Sequence, residues 1–270
     1  MTAQLAHEPT DAADEIDRPS ESAARAIVGA TLTFVALLGL WEWLARSFDI
    51  PAWLLPAPSA IALAMLEWRN DLLRHSLVTL YETLLGFALA IAISIPLAVA
   101  VVHSAILRTT IYPILLAFQS VPKVAIAPLL LLWMGFGILP KIAVVFLVCF
   151  FPIIVATATG LSAVPAPLME LIRSLSASTM QTFVKIRFPT AMPYMFVGLK
   201  VAITLAVIGA VIGEFVGSED GLGYLILVST SQAHTPLAFA ALVLLTAISI
   251  LLYYGIVLIE WIAVPWAPNN

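Results

Sequence analysis

The chain has 270 residues, 62% of them hydrophobic and only 10% charged, and its mean hydropathy is +1.06. A soluble domain carries about 25% charged residues, so this composition excludes an ordinary soluble protein and makes lipid the solvent. The formal charge of −4 arises at the start of the chain, where Glu8, Asp11, Asp14, Glu15, Asp17 and Glu21 stand against Arg18; the near-neutral remainder argues against a nucleic-acid surface or a polybasic membrane patch.

Residues 1–25 read as a disordered acidic tail. It has no basic n-region, and the apolar run after it is longer than a signal-peptide core, so that run is expected to be retained as a span. A span needs about 20 mostly apolar residues. Six candidates lie at roughly 26–45, 76–102, 107–133, 139–162, 191–216 and 236–262, leaving 263–270 as a short C-terminal tail. Only HSAILR separates the second from the third and GFGILPK the third from the fourth, which predicts tight hairpins. With both termini in the cytoplasm, the inner side holds Arg18, Arg25, Arg108, Arg173, Lys185, Arg187 and Lys200, against Arg46, Arg69, Arg74 and Lys141 outside. That asymmetry follows the positive-inside rule.

Pro96, Pro113, Pro122, Pro128 and Pro152 fall within or beside spans, where each removes a backbone donor and can kink a helix. Freed carbonyls at membrane depth must meet protein or water, which suits a solute pathway and the packing of bent helices equally. Lys123, beside Gln119 and Ser120 in the third span, could line an aqueous path and attract an anion. The other reading is a lysine at a helix break that snorkels or pairs with a carboxylate. Cys149, the single cysteine, excludes an intrachain disulfide and reads as a small buried hydrophobe.

Between the fourth and fifth spans comes MELIRSLSASTMQTFVKIRFPTAMP, residues 169–193. A helix connection usually takes about 2–8 residues. Leu168, Leu171, Ile172 and Leu175 fall on one helical face, with Glu170, Arg173 and Ser174 off it. Ser178 and Gln181 have the spacing of a capping box that starts a second helix, and Pro189 is expected to end it by biasing Phe188 away from helical geometry. The two short helices offer an apolar ridge with charged edges to a cytoplasmic partner, or lie flat among headgroups.

In the fifth span Gly209, Gly213 and Gly217 form two overlapping G-x-x-x-G units, the pattern of close helix contact. Glu214 follows Gly213 and reads either as a gate or pathway carboxylate or as a packing residue, since a charge at mid-membrane costs about 2.5–3.5 kcal/mol unless it meets protein or water. GSEDGLGYL reads as a Gly-rich turn and a short helix leading to the sixth span. His75, His103 and His234 lack ligand spacing, so no metal site is expected, and no catalytic set is suggested. There is no G-x-x-x-x-G-K-[ST] phosphate loop, because GFGILPK has the wrong spacing and no hydroxyl after Lys141.

Residues 169–189 resemble the cytoplasmic loop of permease subunits of binding-protein-dependent ABC importers, whose pattern is E-A-A, three residues, G, nine residues, I-x-L-P. Glu170, Ile186 and Pro189 match it; Leu171 and Ile172 replace the alanines, Ser176 the glycine and Phe188 the leucine. LLPAPSAI (54–61), the His75 to Phe87 run, SVPKVAIAPLLLLWMGFG (120–137) and GEFVGSEDGLGYLI (213–226) are similar to the branch that imports nitrate, taurine, alkanesulfonates and pyrimidine-type precursors, and the resemblance runs from about 27 to 262.

The resemblance implies an all-α membrane domain over 26–262 with six transmembrane helices and a two-helix coupling loop at about 164–190. It implies a homodimer in the bacterial inner membrane, two separate ATPase subunits that carry ATP and Mg, and a periplasmic or lipid-anchored binding protein, with no cofactor on this chain. Glu170, Leu171, Ile172, Arg173, Ser174, Leu175 and Ser176 would couple to the ATPase, and Ser176 puts the turn in question because glycine accepts backbone angles that serine resists. Glu82 stands where relatives often carry a basic residue. The rival class is an ion-coupled secondary transporter with Glu82, Glu214 and Lys123 as coupling charges; it has no evident need for the long two-helix loop.

Overall fold

In lipid, backbone N–H and C=O groups must be paired within the segment that carries them, so long apolar runs fold as helices. The computed structural model describes residues 19–266, and these are helical throughout apart from short connections. The helices are α1 (Pro19–Ser47), α2 (Pro58–Glu67), α3 (Arg69–His103), α4 (Tyr112–Gln119), α5 (Lys123–Met134), α6 (Ile138–Ser162), α7 (Ala166–Ser174), α8 (Thr179–Thr182), α9 (Phe188–Gly217), α10 (Leu222–Ser231) and α11 (Thr235–Ala263). Wide π-helical turns cover Leu107–Ile111 and Phe183–Arg187.

Among the described residues five segments are long and apolar enough to cross a bilayer: Val28–Ser47, Arg69–His103, Ile138–Ser162, Thr179–Gly217 and Thr235–Ala263. A sixth is counted when α4 and α5 are taken as one bent span.

Several expectations change. The third span is not one helix, because its two halves meet at 97°. Pro122 caps α5 in an extended conformation (φ −66°, ψ 103°); it has no N–H to continue the ladder, and it disfavours helix at Val121. Pro189 does not end the second loop helix. Phe188 is helical (φ −67°, ψ −49°) and its N–H closes the wide turn onto the Phe183 carbonyl, so the helix runs on through Pro189, and the π-helical turn just before it accommodates the N–H that proline lacks. Residues 19–25 of the acidic stretch already belong to α1, while residues 1–18 and 267–270 of the two expected tails lie outside the described residues. The short helix α2 has no counterpart in the sequence reading.

The chain divides into two compact units, residues 1–59 and 60–270. In the first, the Glu42 carboxylate pairs with Arg46 one turn later and accepts the Ser59 N–H (2.9 Å) and Oγ–H (2.7 Å).

In the second, α3, α6 and α9 form the core, with α3 and α6 parallel and α9 antiparallel to both. Phe87 and Ala90 of α3 pack with Val145, Cys149 and Ile153 of α6 and with Ala202, Ile203 and Ala206 of α9. Cys149 is fully buried there, its thiol 3.2 Å from the Ala202 carbonyl. α11 and α5 pack against α9 from outside this trio.

Glycine sets the α6–α9 spacing. A Cβ on Gly209 would stand 3.0 Å from the Cα of Val145, and one on Gly213 would stand 3.1 Å from the Cα of Lys141. Backbones can approach this closely only over small residues. Gly217 differs, since its neighbour is the flexible Leu131 side chain of α5. Gly213→Leu is therefore expected to force α6 and α9 apart and destabilise the detergent-extracted protein by about 1–3 kcal/mol. Gly217→Ala asks only one leucine to turn aside and should melt near the parent. Equal melting of Gly213→Leu and parent would remove the close-contact role.

Candidate functional site

His75, Thr79 and Glu82 recur at intervals of four and three residues, so they lie on one face of α3. That face is the polar stripe of an otherwise apolar helix, and all three side chains are buried in the chain. Opposite them stand Lys141, from the first turn of α6, and Glu214, from the last turn of α9. Glu82 forms an ion pair with Lys141, the side chains being 1% and 10% exposed. The Lys141 ammonium also donates to Ser218 Oγ at 3.0 Å. Glu82 Oε2 is buried with no donor among the described residues. The cluster thus holds two carboxylates and one ammonium out of water.

Glu214 ties the same end of the bundle together. Its Oε1 accepts the Thr79 hydroxyl at 2.7 Å and its Oε2 accepts the Gly223 N–H at 2.6 Å. Thr79 Oγ1 in turn accepts the Leu222 N–H at 2.8 Å, and His75 Nδ1 accepts the Gly221 N–H at 2.9 Å. Both ends of the turn between α9 and α10 are therefore bonded to α3. At the rim, Arg74 pairs with Asp220 at 2.8 Å.

Glycine is required twice around the Glu214 carboxylate, once in the turn and once in the first turn of α10. Gly221 has φ +110°, and a Cβ there would collide with the Glu214 carboxylate; a Cβ on Gly223 would lie 2.8 Å from Glu214 Oε2 and 3.1 Å from the Val211 carbonyl. Glu214 is 1% exposed and fully engaged. Lys141, counted from the sequence among the cations flanking the spans, is instead the counter-charge of a buried site. Glu82, Thr79 and His75 could have been found from their spacing; Lys141 and Ser218 carry no such signal.

Lys123 is not part of this cluster. It sits at the α4–α5 break, its ammonium donating to the Gln119 carbonyl and lying 5.2 Å from the centroid of the Phe151 ring. An unbroken helix would give that carbonyl to the N–H of Lys123 itself, so the side chain replaces the lost backbone bond. Gln119 and Ser120 are exposed beside it. Among the described residues Lys123 pairs with no carboxylate, and no group of three or more His, Cys, Asp or Glu side chains is placed to hold a metal.

At the opposite end of α3, α6 and α9 lies the two-helix segment α7–α8. The expected capping box is present: Gln181 N–H donates to Ser178 Oγ at 3.2 Å, and Ser178 N–H donates to Gln181 Oε1 at 2.9 Å. α7 ends in a left-handed cap. Ser176 has φ +55°, its N–H reaches the Arg173 carbonyl at 3.0 Å, and the Ala177 N–H reaches that of Ile172 at 3.3 Å. This is a conformation glycine adopts without strain, and serine holds it here.

The apolar stripe of α7 divides. Ile172 is buried, whereas Leu168, Leu171 and Leu175 are 37%, 55% and 72% exposed. Ile172 thus anchors α7 to its own chain, and the other three form a bare ridge. Glu170, Arg173 and Ser174 are exposed beside it, and the Ser174 hydroxyl is turned back onto the Leu171 carbonyl at 2.7 Å.

Known proteins place this arrangement. A family described as the binding-protein-dependent transport system inner membrane component matches residues 82–261. The chain is 35% identical over 226 residues to a probable ABC transporter permease protein of Haemophilus influenzae, covering 84% of this chain and 91% of the relative. It is 35% identical over 237 residues to a formylaminopyrimidine transport permease protein of Halalkalibacterium halodurans, covering 87% and 94%. Its fold is similar to that of the MetNI methionine ABC transporter in an inward-facing form, with a TM-score of 0.63 at 22% identity over 72% of this chain and 96% of that one. With most of its length matched in this way, the chain belongs to the family of binding-protein-dependent transport system inner membrane components, the permease subunits of ABC importers.

Proposed function

We propose that this permease works as a homodimer that passes a small solute across the bacterial inner membrane by alternating access. An extracytoplasmic binding protein delivers the solute, and two separate ATPase subunits, which bind the ATP and Mg, drive the change. In this reading α4 and α5 together are the third of six spans, both termini and α7–α8 lie in the cytoplasm, and the Glu82–Lys141–Glu214 cluster lies at the outer mouth. Because that cluster bonds α3, α6, α9 and the α9–α10 turn to one another, it acts as a latch that holds the outer end of each subunit as one piece while the dimer opens and closes. Lys123 holds the bend in the third span.

The observation that carries the proposal is the α7 ridge. Three leucines of the stripe are left bare while its fourth member, Ile172, is buried, and α7 is closed at its C-terminal end by the left-handed cap at Ser176. A segment so firmly built yet uncovered is suited to transmit force from a partner seated on it. An ion-coupled carrier has no such partner.

A cysteine at Ser174, in a Cys149→Ala background, is expected to cross-link to the ATPase subunit co-expressed with this permease, with yield changing between nucleotide-free and ATP-bound states. Absence of any cross-link in either state would remove the coupling role from α7.

A further inference from the structure

We infer that the coupling loop carries a binding site for an oxyanion of the phosphate type. Between the end of α3 and the α7–α8 segment lies a cavity of about 330 Å³ lined by Val102, His103, Met169, Ile172, Arg173, Ala177, Thr179, Thr182 and Arg187. Its basic groups come from three separate elements: His103 from the last residue of α3, Arg173 from α7 and Arg187 from the wide turn before α9. No carboxylate lines it.

Among the described residues neither arginine forms an ion pair, and Glu170, one turn before Arg173, neither lines the cavity nor pairs with it. Two guanidinium groups brought to one cavity repel unless a negative charge lies between them. Guanidinium forks bind phosphate and similar oxyanions in bidentate fashion.

The rest of the lining suits that occupant. His103 Nδ1 lies 3.0 Å from the Val99 carbonyl, to which it donates, and its ring is held edge-on against Phe183 with centroids 5.2 Å apart, leaving Nε2 free. The Thr179 hydroxyl has no hydrogen-bond partner among the described residues and is available to donate. The cavity lies at the ends of two candidate spans, at His103 and in the segment from Thr179, and both a lipid headgroup and a soluble compound carry the group that its lining fits. The occupant is therefore the phosphate of an anionic phospholipid or a free phosphate compound. Once bound it would join α7 to α3 and to the start of α9, and so stiffen the loop that meets the ATPase.

The site rests on the importer reading only in placing α7–α8 at the cytoplasmic face. Its test uses the full-length permease without any ATPase, so its failure leaves the cross-linking experiment untouched. Amide hydrogen exchange over residues 166–187 is followed in nanodiscs of phosphatidylcholine, of phosphatidylcholine with phosphatidylglycerol, and of phosphatidylcholine with added inorganic phosphate.

Near-saturating phosphatidylglycerol or inorganic phosphate is expected to slow exchange in this segment about tenfold. Protection by the lipid alone assigns the site to headgroups; protection by inorganic phosphate in phosphatidylcholine assigns it to a soluble compound. The Arg173→Gln, Arg187→Gln double variant should lose the protection, and the Arg173→Lys, Arg187→Lys variant, which keeps the charge, should retain part of it. No protection by either probe, or equal protection in the glutamine variant, would overturn the site.

Discussion

Lys141→Met is expected to destabilise the membrane domain by about 3–5 kcal/mol, because it strands the Glu82 carboxylate in a buried site without its counter-ion. The substitution also removes the donor to Ser218 Oγ, the residue that begins the α9–α10 turn. The attraction within the pair is offset by the cost of drying both groups, so the pair as a whole contributes far less than the loss of one member suggests. For that reason Lys141→Met combined with Glu82→Leu should recover most of the stability, an apolar pair replacing an ionic one. Thermal denaturation of parent, single and double variants in nanodiscs reads the effect. A single variant within about 1 kcal/mol of the parent would mean that water reaches the site and pairs Glu82 in place of Lys141.

The second large effect is on coupling. Leu171→Asp with Leu175→Asp should leave insertion and folding of the permease unchanged, since both leucines are more than half exposed. Seated in an ATPase groove the same side chains are buried, and losing two apolar contacts there should cost about 2 kcal/mol or more, roughly thirtyfold in affinity. Glu170→Arg at the edge of the ridge should add about 2–5 kcal/mol if its carboxylate meets a partner cation. Ile172→Asp is the contrast: Ile172 is buried within the chain, so its replacement should disorder α7 itself. Substrate-stimulated ATP hydrolysis in reconstituted vesicles is expected to fall to the unstimulated rate in the ridge variants. Full stimulation with Leu171 and Leu175 both replaced would return α7 to the role of a membrane-surface helix.

Local chemistry was legible in the sequence and contacts between distant segments were not. The Ser178–Gln181 cap and the stripe of Leu168, Leu171, Ile172 and Leu175 depend on neighbours within one or two turns, and both were found. Spacing alone does not tell which member of the stripe turns inward, because that depends on the rest of the fold, and Ile172 went to the inside. Pro189 misled for a related reason: its bias against helix at Phe188 is real, but the wide π-helical turn at Phe183–Arg187 lets the helix continue through it.

Gly209 and Gly213 announce close packing by spacing, yet nothing local says that the third glycine, Gly217, faces a leucine of α5. Glu214 stood out as a charge in an apolar run. Its site did not, since Thr79, Glu82 and Lys141 are brought to it only by the packing of α3 and α6 on α9.

The fit of the Glu214 carboxylate against the α9–α10 turn also bears on how this sequence can vary over time. The oxygens occupy the volume that a methyl group at position 221 or 223 would need, so positions 214, 221 and 223 do not drift independently. A variant that keeps the long carboxylate needs both glycines, since a Cβ at 221 or 223 would run into its oxygens. Aspartate at 214 would withdraw the carboxylate but leave its Cβ and the Val211 carbonyl 3.1 Å from a methyl at 223, so that glycine is held by the backbone as well as by the acid. Three residues that look like a charge and two flexible turns are, in packing, a single unit.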